Sequence, residues 1–163
     1  MPKKTPPREH YQRLVLGIST GTYLQGPETS WRALQWSMKK ILLIEDTLVL
    51  RELFKMILSR EFSVVAAATG QEALEALRGQ TFDLVLSDFH LPDMTGADVY
   101  RLHAGDRPVW MAISASENEA EFQEWVQREG IPYLTKPCPA ALLMGCVRQQ
   151  LSRPGIPAVA VPA

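Results

Sequence analysis

From Lys39 onward the chain alternates between short, wholly apolar runs and longer stretches with a helical period. Ile41–Ile44 is a continuous apolar run that ends in two acids, the pattern of a strand buried on both faces. Leu50, Leu53, Phe54, Ile57 and Leu58 follow at i, i+3, i+4, i+7 and i+8, which predicts an amphipathic helix. Ser63–Ala68, apolar and bounded by Thr69-Gly70, predicts a second strand. Gln71–Arg78 carries Ala73, Leu74 and Leu77 on one face and stops at Gly79, as a helix does. Asp83–Ser87 predicts a third strand. A loop with Pro92 and Gly96 then leads into a short helix, Ala97–His103. The segment between Gly96 and Val109 is brief, so this helix is expected to span about two turns, with a loose end at residues 104–107. Val109–Ile113 predicts the fourth strand. Glu117–Arg128 predicts a helix with Phe122, Trp125 and Val126 inward and Gly130 at its end. Tyr133–Thr135 is a brief fifth strand, and Ala140–Leu151 closes the domain as a helix with Leu143, Val147 and Leu151 at i, i+4 and i+8.

Five βα units with buried strands imply an α/β fold, a doubly wound parallel sheet with helices on both faces. The flanks have a different texture. Seven of the twelve prolines fall in residues 1–38 and 152–163, and the N-terminal stretch shows no sustained period. Residues 1–38 are therefore expected to be an irregular extension, with one short helix at Trp31–Met38 capped by Ser30. Residues 39–152 form the domain and 153–163 a flexible tail. Met38, followed at once by Lys39-Lys40 and a strand, is a candidate natural start, which would make residues 1–37 an upstream extension. Nothing after residue 152 has the pattern of an output domain.

Composition narrows the classes. A chain of 163 residues, 46% apolar, supports one domain rather than two. Residues 1–38 hold five Lys/Arg against two Asp/Glu, whereas residues 39–163 hold twelve against sixteen. An acidic body of this kind lacks the basic face that phosphate contacts need, so no nucleic-acid partner is expected. No apolar run approaches the roughly 20 residues that span a bilayer, and Leu14–Ile18 is too short for a signal-peptide core of about 7–15 residues. Two cysteines exclude a disulfide scaffold and point to a reducing cytoplasm. Cys138 and Cys146, eight residues apart, would lie roughly 12 Å apart along a helix at about 1.5 Å per residue, too far to bridge, and read as packing residues.

In a doubly wound sheet, ligands bind beyond the carboxyl ends of the strands, where strand order reverses. Glu45 and Asp46 end the first strand, Asp88 the third, Ser114 the fourth and Lys136 the fifth. Three carboxylates, a hydroxyl and an amine are thus placed on one edge. Carboxylates held close repel one another unless a cation sits among them. Hard oxygen ligands at this density suit Mg²⁺, which keeps waters that a phosphate can replace. A carboxylate in such a setting can act as nucleophile and form an aspartyl phosphate. Lys136 and the Ser114 hydroxyl would then serve two other phosphoryl oxygens.

These residues resemble the receiver domain of two-component response regulators. The resemblance runs from about Lys39 to Leu151 and is carried by Ile-Leu-Leu-Ile-Glu45-Asp46, by Asp83-Leu-Val-Leu-Ser-Asp88-Phe-His-Leu-Pro92-Asp-Met-Thr-Gly96, by Ser114-Ala115 and by Lys136-Pro137. It implies a flavodoxin-like five-stranded sheet of order 2-1-3-4-5. It further implies that Asp88 takes a phosphoryl group from a sensor histidine kinase or a histidine phosphotransfer protein. Asp46 and Asp88 would ligate Mg²⁺ directly, Glu45 through water, and His90 through its backbone carbonyl. Lys136 and Ser114 would complete the site, Ala115 would leave room for the phosphoryl group, and Lys136-Pro137 would be a cis peptide. Tyr133 would be the switch aromatic, moving from exposed to buried as Ser114 is drawn inward. The surface made by helix Glu117–Arg128, strand Tyr133–Thr135 and helix Ala140–Leu151 would then be remodelled for a downstream protein. Such a protein catalyses only its own phosphorylation and dephosphorylation, in the cytoplasm, as a monomer or a weak phosphorylation-dependent dimer.

Other candidates have plainer readings. Asp93 reads as a turn residue rather than a ligand, the His90 side chain and Ser116 as solvated loop groups, and His103 and His10 as surface residues. Trp110 and Trp125 read as core. A phosphorylation-independent pseudo-receiver scaffold keeps the fold and denies the chemistry, which the complete acid, hydroxyl and lysine set opposes. A haloacid-dehalogenase-type phosphohydrolase needs an aspartate two residues past its nucleophile, where this chain has His90. A flavin-binding relative needs a phosphate-cradling loop after the first strand, where Glu45-Asp46-Thr47-Leu48 would repel a phosphate.

Overall fold

The apolar runs become the strands of one parallel sheet in a computed structural model that describes residues 39–105, 107–115 and 118–152. The expected helix at Trp31–Met38, the expected helix start at Glu117, Ser116 and the tail at 153–163 lie outside the described residues. The strands are β1 (Lys40–Ile44), β2 (Ser63–Ala67), β3 (Leu84–Asp88), β4 (Val109–Ser114) and β5 (Tyr133–Thr135), in the spatial order β2-β1-β3-β4-β5. Between them run α1 (Leu48–Leu58), α2 (Gly70–Gly79), α3 (Gly96–Leu102), α4 (Ala120–Glu129) and α5 (Ala140–Leu151). Strand order reverses between β1 and β3, whose register pairs Ile41 with Leu84 and Ile44 with Ser87.

Side chains of successive strand residues point to opposite faces, and the core divides accordingly. Leu42, Ile44, Val85, Trp110 and Ala112 pack with Leu74, Val99, Phe122 and Trp125, which belong to α2, α3 and α4. Ile41, Leu43, Leu84, Leu86, Met111 and Ile113 pack with Phe54, Leu58, Leu143 and Val147 of α1 and α5. Ile41 to Ile44 are all inaccessible to solvent, which explains why this strand reads as an unbroken apolar run rather than an alternation. Both cysteines are free, and both join the second cluster as packing residues.

Helix boundaries follow local chemistry. Thr95 and Asp98 form a reciprocal capping box that starts α3 one residue earlier than the periodicity suggests, and the helix has seven residues, two turns as expected. Gly130 ends α4 at φ 65°, a left-handed cap that glycine adopts without steric cost. The first residue of α4 is Ala120, preceded by extended Glu119. Trp110 and Trp125 are core residues as expected, and their buried indole N–H groups have no hydrogen-bond partner. Their rings are held instead by aromatic contacts, Trp110 with Tyr100 and Trp125 with Phe89.

Candidate functional site

At the carboxyl edge of the sheet, β1 and β3 deliver their acids side by side. Glu45 is fully buried and Asp88 is 6% exposed, whereas Asp46 faces solvent. One carboxylate oxygen from each of Glu45, Asp46 and Asp88 falls within a group no wider than 4.8 Å. The Lys136 ammonium, arriving from the end of β5, donates to Asp88 Oδ2 at 2.5 Å and to Glu45 Oε2 at 2.8 Å. The Lys136-Pro137 peptide is cis. Lys136 N donates to the Ser114 carbonyl at 2.8 Å, which fixes the start of the lysine side chain against the end of β4.

Electrostatics follow from this enclosure. Burial, the largest influence on Glu45, pushes its carboxyl above the usual glutamate range against the pull of Lys136. Burial also works against the Lys136 ammonium, but hydrogen bonds to Asp88 and Glu45 and their charges outweigh it, so its pKa is raised. One lysine cannot offset three carboxylates, and the donors are all hard oxygens at close range. This set fits a divalent cation such as Mg²⁺.

The loop after β1 is held from α1. Arg51 Nη1 donates to the carbonyls of Glu45 and Asp46, each at 2.9 Å. The Thr47 hydroxyl reaches Asp46 Oδ1 at 3.3 Å, and Thr47 N reaches Glu45 Oε1 at 3.4 Å. On the other side, Gly96 packs against the end of β3. A Cβ there would come within 2.5 Å of the Asp88 carbonyl oxygen and 2.8 Å of Ser87 Oγ, so only glycine fits without displacement. Gly96 N donates to the Phe89 carbonyl at 2.7 Å, closing the loop that contains His90.

Ser114 stays at this same edge, and the other sequence candidates take separate places. Ser114 is 1% exposed at the end of β4, and Ala115 beyond it is exposed. Tyr133 is half-buried, edge-on to Phe122 with ring centroids 5.2 Å apart, and its hydroxyl lies 3.5 Å from Gln123 Nε2. The His90 side chain is not simply solvated as expected: its Nε2 lies 2.6 Å from Glu119 Oε2, and its ring stands edge-on to Phe89. Asp93 stays out of the acid cluster, as expected of a turn residue, but does more than turn the chain. Its two oxygens each accept at 2.8 Å, from Gly70 N and Gln71 N, capping α2 from a distance. Arg51, Glu119 and this capping by Asp93 were not identified from sequence, because their partners are backbone atoms or residues far away in the chain.

Residues 41–148 match the response regulator receiver domain family. The regulator of RpoS of Escherichia coli K12 is 35% identical over 61% of this chain and 30% of its own length. The DNA-binding response regulator MtrA of Mycolicibacterium paratuberculosis is 31% identical over 71% of this chain and 52% of its own. A protein-glutamate methylesterase/protein-glutamine glutaminase of Paramagnetospirillum magneticum is 38% identical over 48% of this chain and 23% of its own. The chain therefore spans about a quarter to a half of these curated relatives. Among solved structures, a CheY-like receiver domain protein of Methanospirillum hungatei superposes with a TM-score of 0.65 at 26% identity, covering 71% of this chain and 95% of that one. Another from Methylobacillus flagellatus gives 0.60 at 27% identity, covering 70% and 99%. Among the described residues no helix is long and apolar enough to cross a membrane. Fold, edge chemistry and family match agree that the chain belongs to the receiver domains of two-component response regulators.

Proposed function

We propose that Asp88 accepts a phosphoryl group from the phosphohistidine of a sensor histidine kinase or a histidine phosphotransfer protein, and that this change is read by a downstream protein. The observation that carries this reading is the convergence of Glu45, Asp46 and Asp88 with Lys136 bridging two of them. An Asp88 carboxylate oxygen attacks phosphorus; a P–O bond forms as the P–N bond of the donor breaks, and imidazole leaves. Lys136, already 2.5 Å from Asp88 Oδ2, moves its charge to a phosphoryl oxygen as the carboxylate loses its own. The Ser114 hydroxyl serves another oxygen. Glu45, Asp46, Asp88 and the His90 carbonyl would hold Mg²⁺, Glu45 through water. When bound, the ion supplies neutralising charge for the carboxylates and the incoming phosphoryl oxygens.

The readout we assign to the face of α4, β5 and α5. Tyr133 is the switch residue, repacking against α4 as Ser114 moves toward the phosphoryl group. In this reading the chain is a phosphorylation-controlled binding module, not an enzyme acting on separate substrates.

Incubation with Mg²⁺ and labelled acetyl phosphate tests the assignment. Hydroxylamine-labile label on the wild type and none on Asp88→Asn is the expected result. An unlabelled wild type would instead favour a scaffold that keeps the fold without the chemistry, and sustained turnover of a phosphate ester would favour a hydrolase.

A further inference from the structure

A strand that continued straight past Ile44 would send Glu45 and Asp46 to opposite faces of the sheet. Instead their carboxylates converge with that of Asp88 inside 4.8 Å. Glu45 N still pairs with the Ala67 carbonyl at 3.1 Å, so the ladder runs through Glu45 and the chain bends immediately after it. The bend is not secured by an ordinary helix cap. Thr47 occupies the N-cap of α1 but makes no side-chain cap bond, its hydroxyl being turned toward Asp46.

What fastens the bend is Arg51. Successive carbonyls in a strand point in opposite directions, yet those of Glu45 and Asp46 both reach one nitrogen, Nη1, at 2.9 Å. That convergence is possible only in the bent conformation. Arg51 is itself anchored, since its amide donates to the Thr47 carbonyl at 2.8 Å in the first turn of α1. It also sets a positive charge behind a loop that carries two of the three clustered carboxylates.

Resting on the phosphoacceptor reading above, we propose that Arg51 is a positioning residue for the divalent cation site. It touches no ligand oxygen. By gripping two backbone carbonyls it holds Glu45 and Asp46 in the bend that brings their carboxylates to Asp88. Residues that orient metal ligands in this indirect way typically change affinity by about 10–100-fold when lost.

The test is Mn²⁺ binding to the full chain, followed by the paramagnetic resonance of the free ion, with folding checked by circular dichroism. Arg51→Met, which keeps an apolar stem and removes the donor, is expected to raise the Mn²⁺ Kd about tenfold. Arg51→Gln, too short to reach both carbonyls, is expected to behave alike and can be read if Arg51→Met does not fold. Arg51→Lys, with its charge and donors retained, is expected to recover most of the affinity, which a general loss of packing would not explain. A folded Arg51→Met or Arg51→Gln that binds Mn²⁺ as tightly as wild type overturns the proposal. A wild type that binds no Mn²⁺ would overturn the phosphoacceptor reading itself, and this inference with it.

Discussion

Lys136 and Asp88 meet at 2.5 Å although β4 separates the strand that Asp88 ends from the one that Lys136 follows. The lysine spends its charge on two carboxylates whose side chains are 0% and 9% exposed. Removing one partner of so enclosed a set leaves charge without compensation. Lys136→Met is therefore expected to destabilise the metal-free protein by about 3 kcal/mol at neutral pH, measured by urea unfolding. The sign follows from the raised lysine pKa. Its contribution is complete below the ordinary value of 10.5 and is lost as pH rises through the higher folded value. The gap between wild type and variant should hold across the neutral range and close only in alkali.

Glu45 shifts in the same direction with the opposite consequence at neutral pH, because its charged form is the one burial disfavours. Burial raises its pKa, so the stability linked to its proton is present below the ordinary 4.5 and lost as pH climbs through the folded value. Glu45→Gln keeps the shape and an acceptor for Lys136 while deleting the buried charge. Its metal-free melting temperature is expected to exceed that of wild type at neutral pH, with the difference vanishing below 4.5. A variant that melts lower than wild type at neutral pH would contradict this.

Gly96 limits the space beside Asp88. In Gly96→Ala the new methyl meets backbone at the Asp88 carbonyl, 2.5 Å away, and backbone cannot rotate aside. Overpacking of this kind typically costs about 1–3 kcal/mol. The loss should be visible in urea denaturation, together with slower labelling of Asp88 by acetyl phosphate.

Asp93 joins two loops. Burial acts to raise its carboxyl, but hydrogen bonds from Gly70, Gln71 and its own turn prevail and hold it below the usual aspartate range. Asp93→Ala removes the acceptor for two helix-end amides and is expected to cost about 1 kcal/mol. Because the folded pKa is lowered, this contribution is present above the ordinary 3.8 and is lost as pH falls through the folded value. Urea midpoints of the two proteins should therefore converge in acid and differ at neutral pH.

The division between what could be read in advance and what could not has a physical basis. The strands from Ile41 and Val109 and the helix Ala140–Leu151 were legible because burial imposes a period on nearby residues. The acids at strand ends were legible for a related reason, since a parallel sheet brings all carboxyl ends to one edge. The Asp93 cap and the His90–Glu119 pair span 23 and 29 residues, and no local pattern encodes that such segments meet. Arg51 reads as an ordinary polar position in an amphipathic helix, and only the bend at Asp46 reveals its use. The fourth helix begins later than its apolar period suggests, at Ala120, with Glu119 extended and turned to His90.

The slenderest strand, β5, has three residues and lies at the rim, held to the sheet by β4 alone. Its last residue is followed directly by the lysine that reaches the acids of β1 and β3. The rim is thus leashed to the middle of the molecule by one ammonium group, and Tyr133 rides on the leashed segment. Under the phosphoacceptor proposal, charge added at Asp88 would pull on that leash, and on Tyr133 with it.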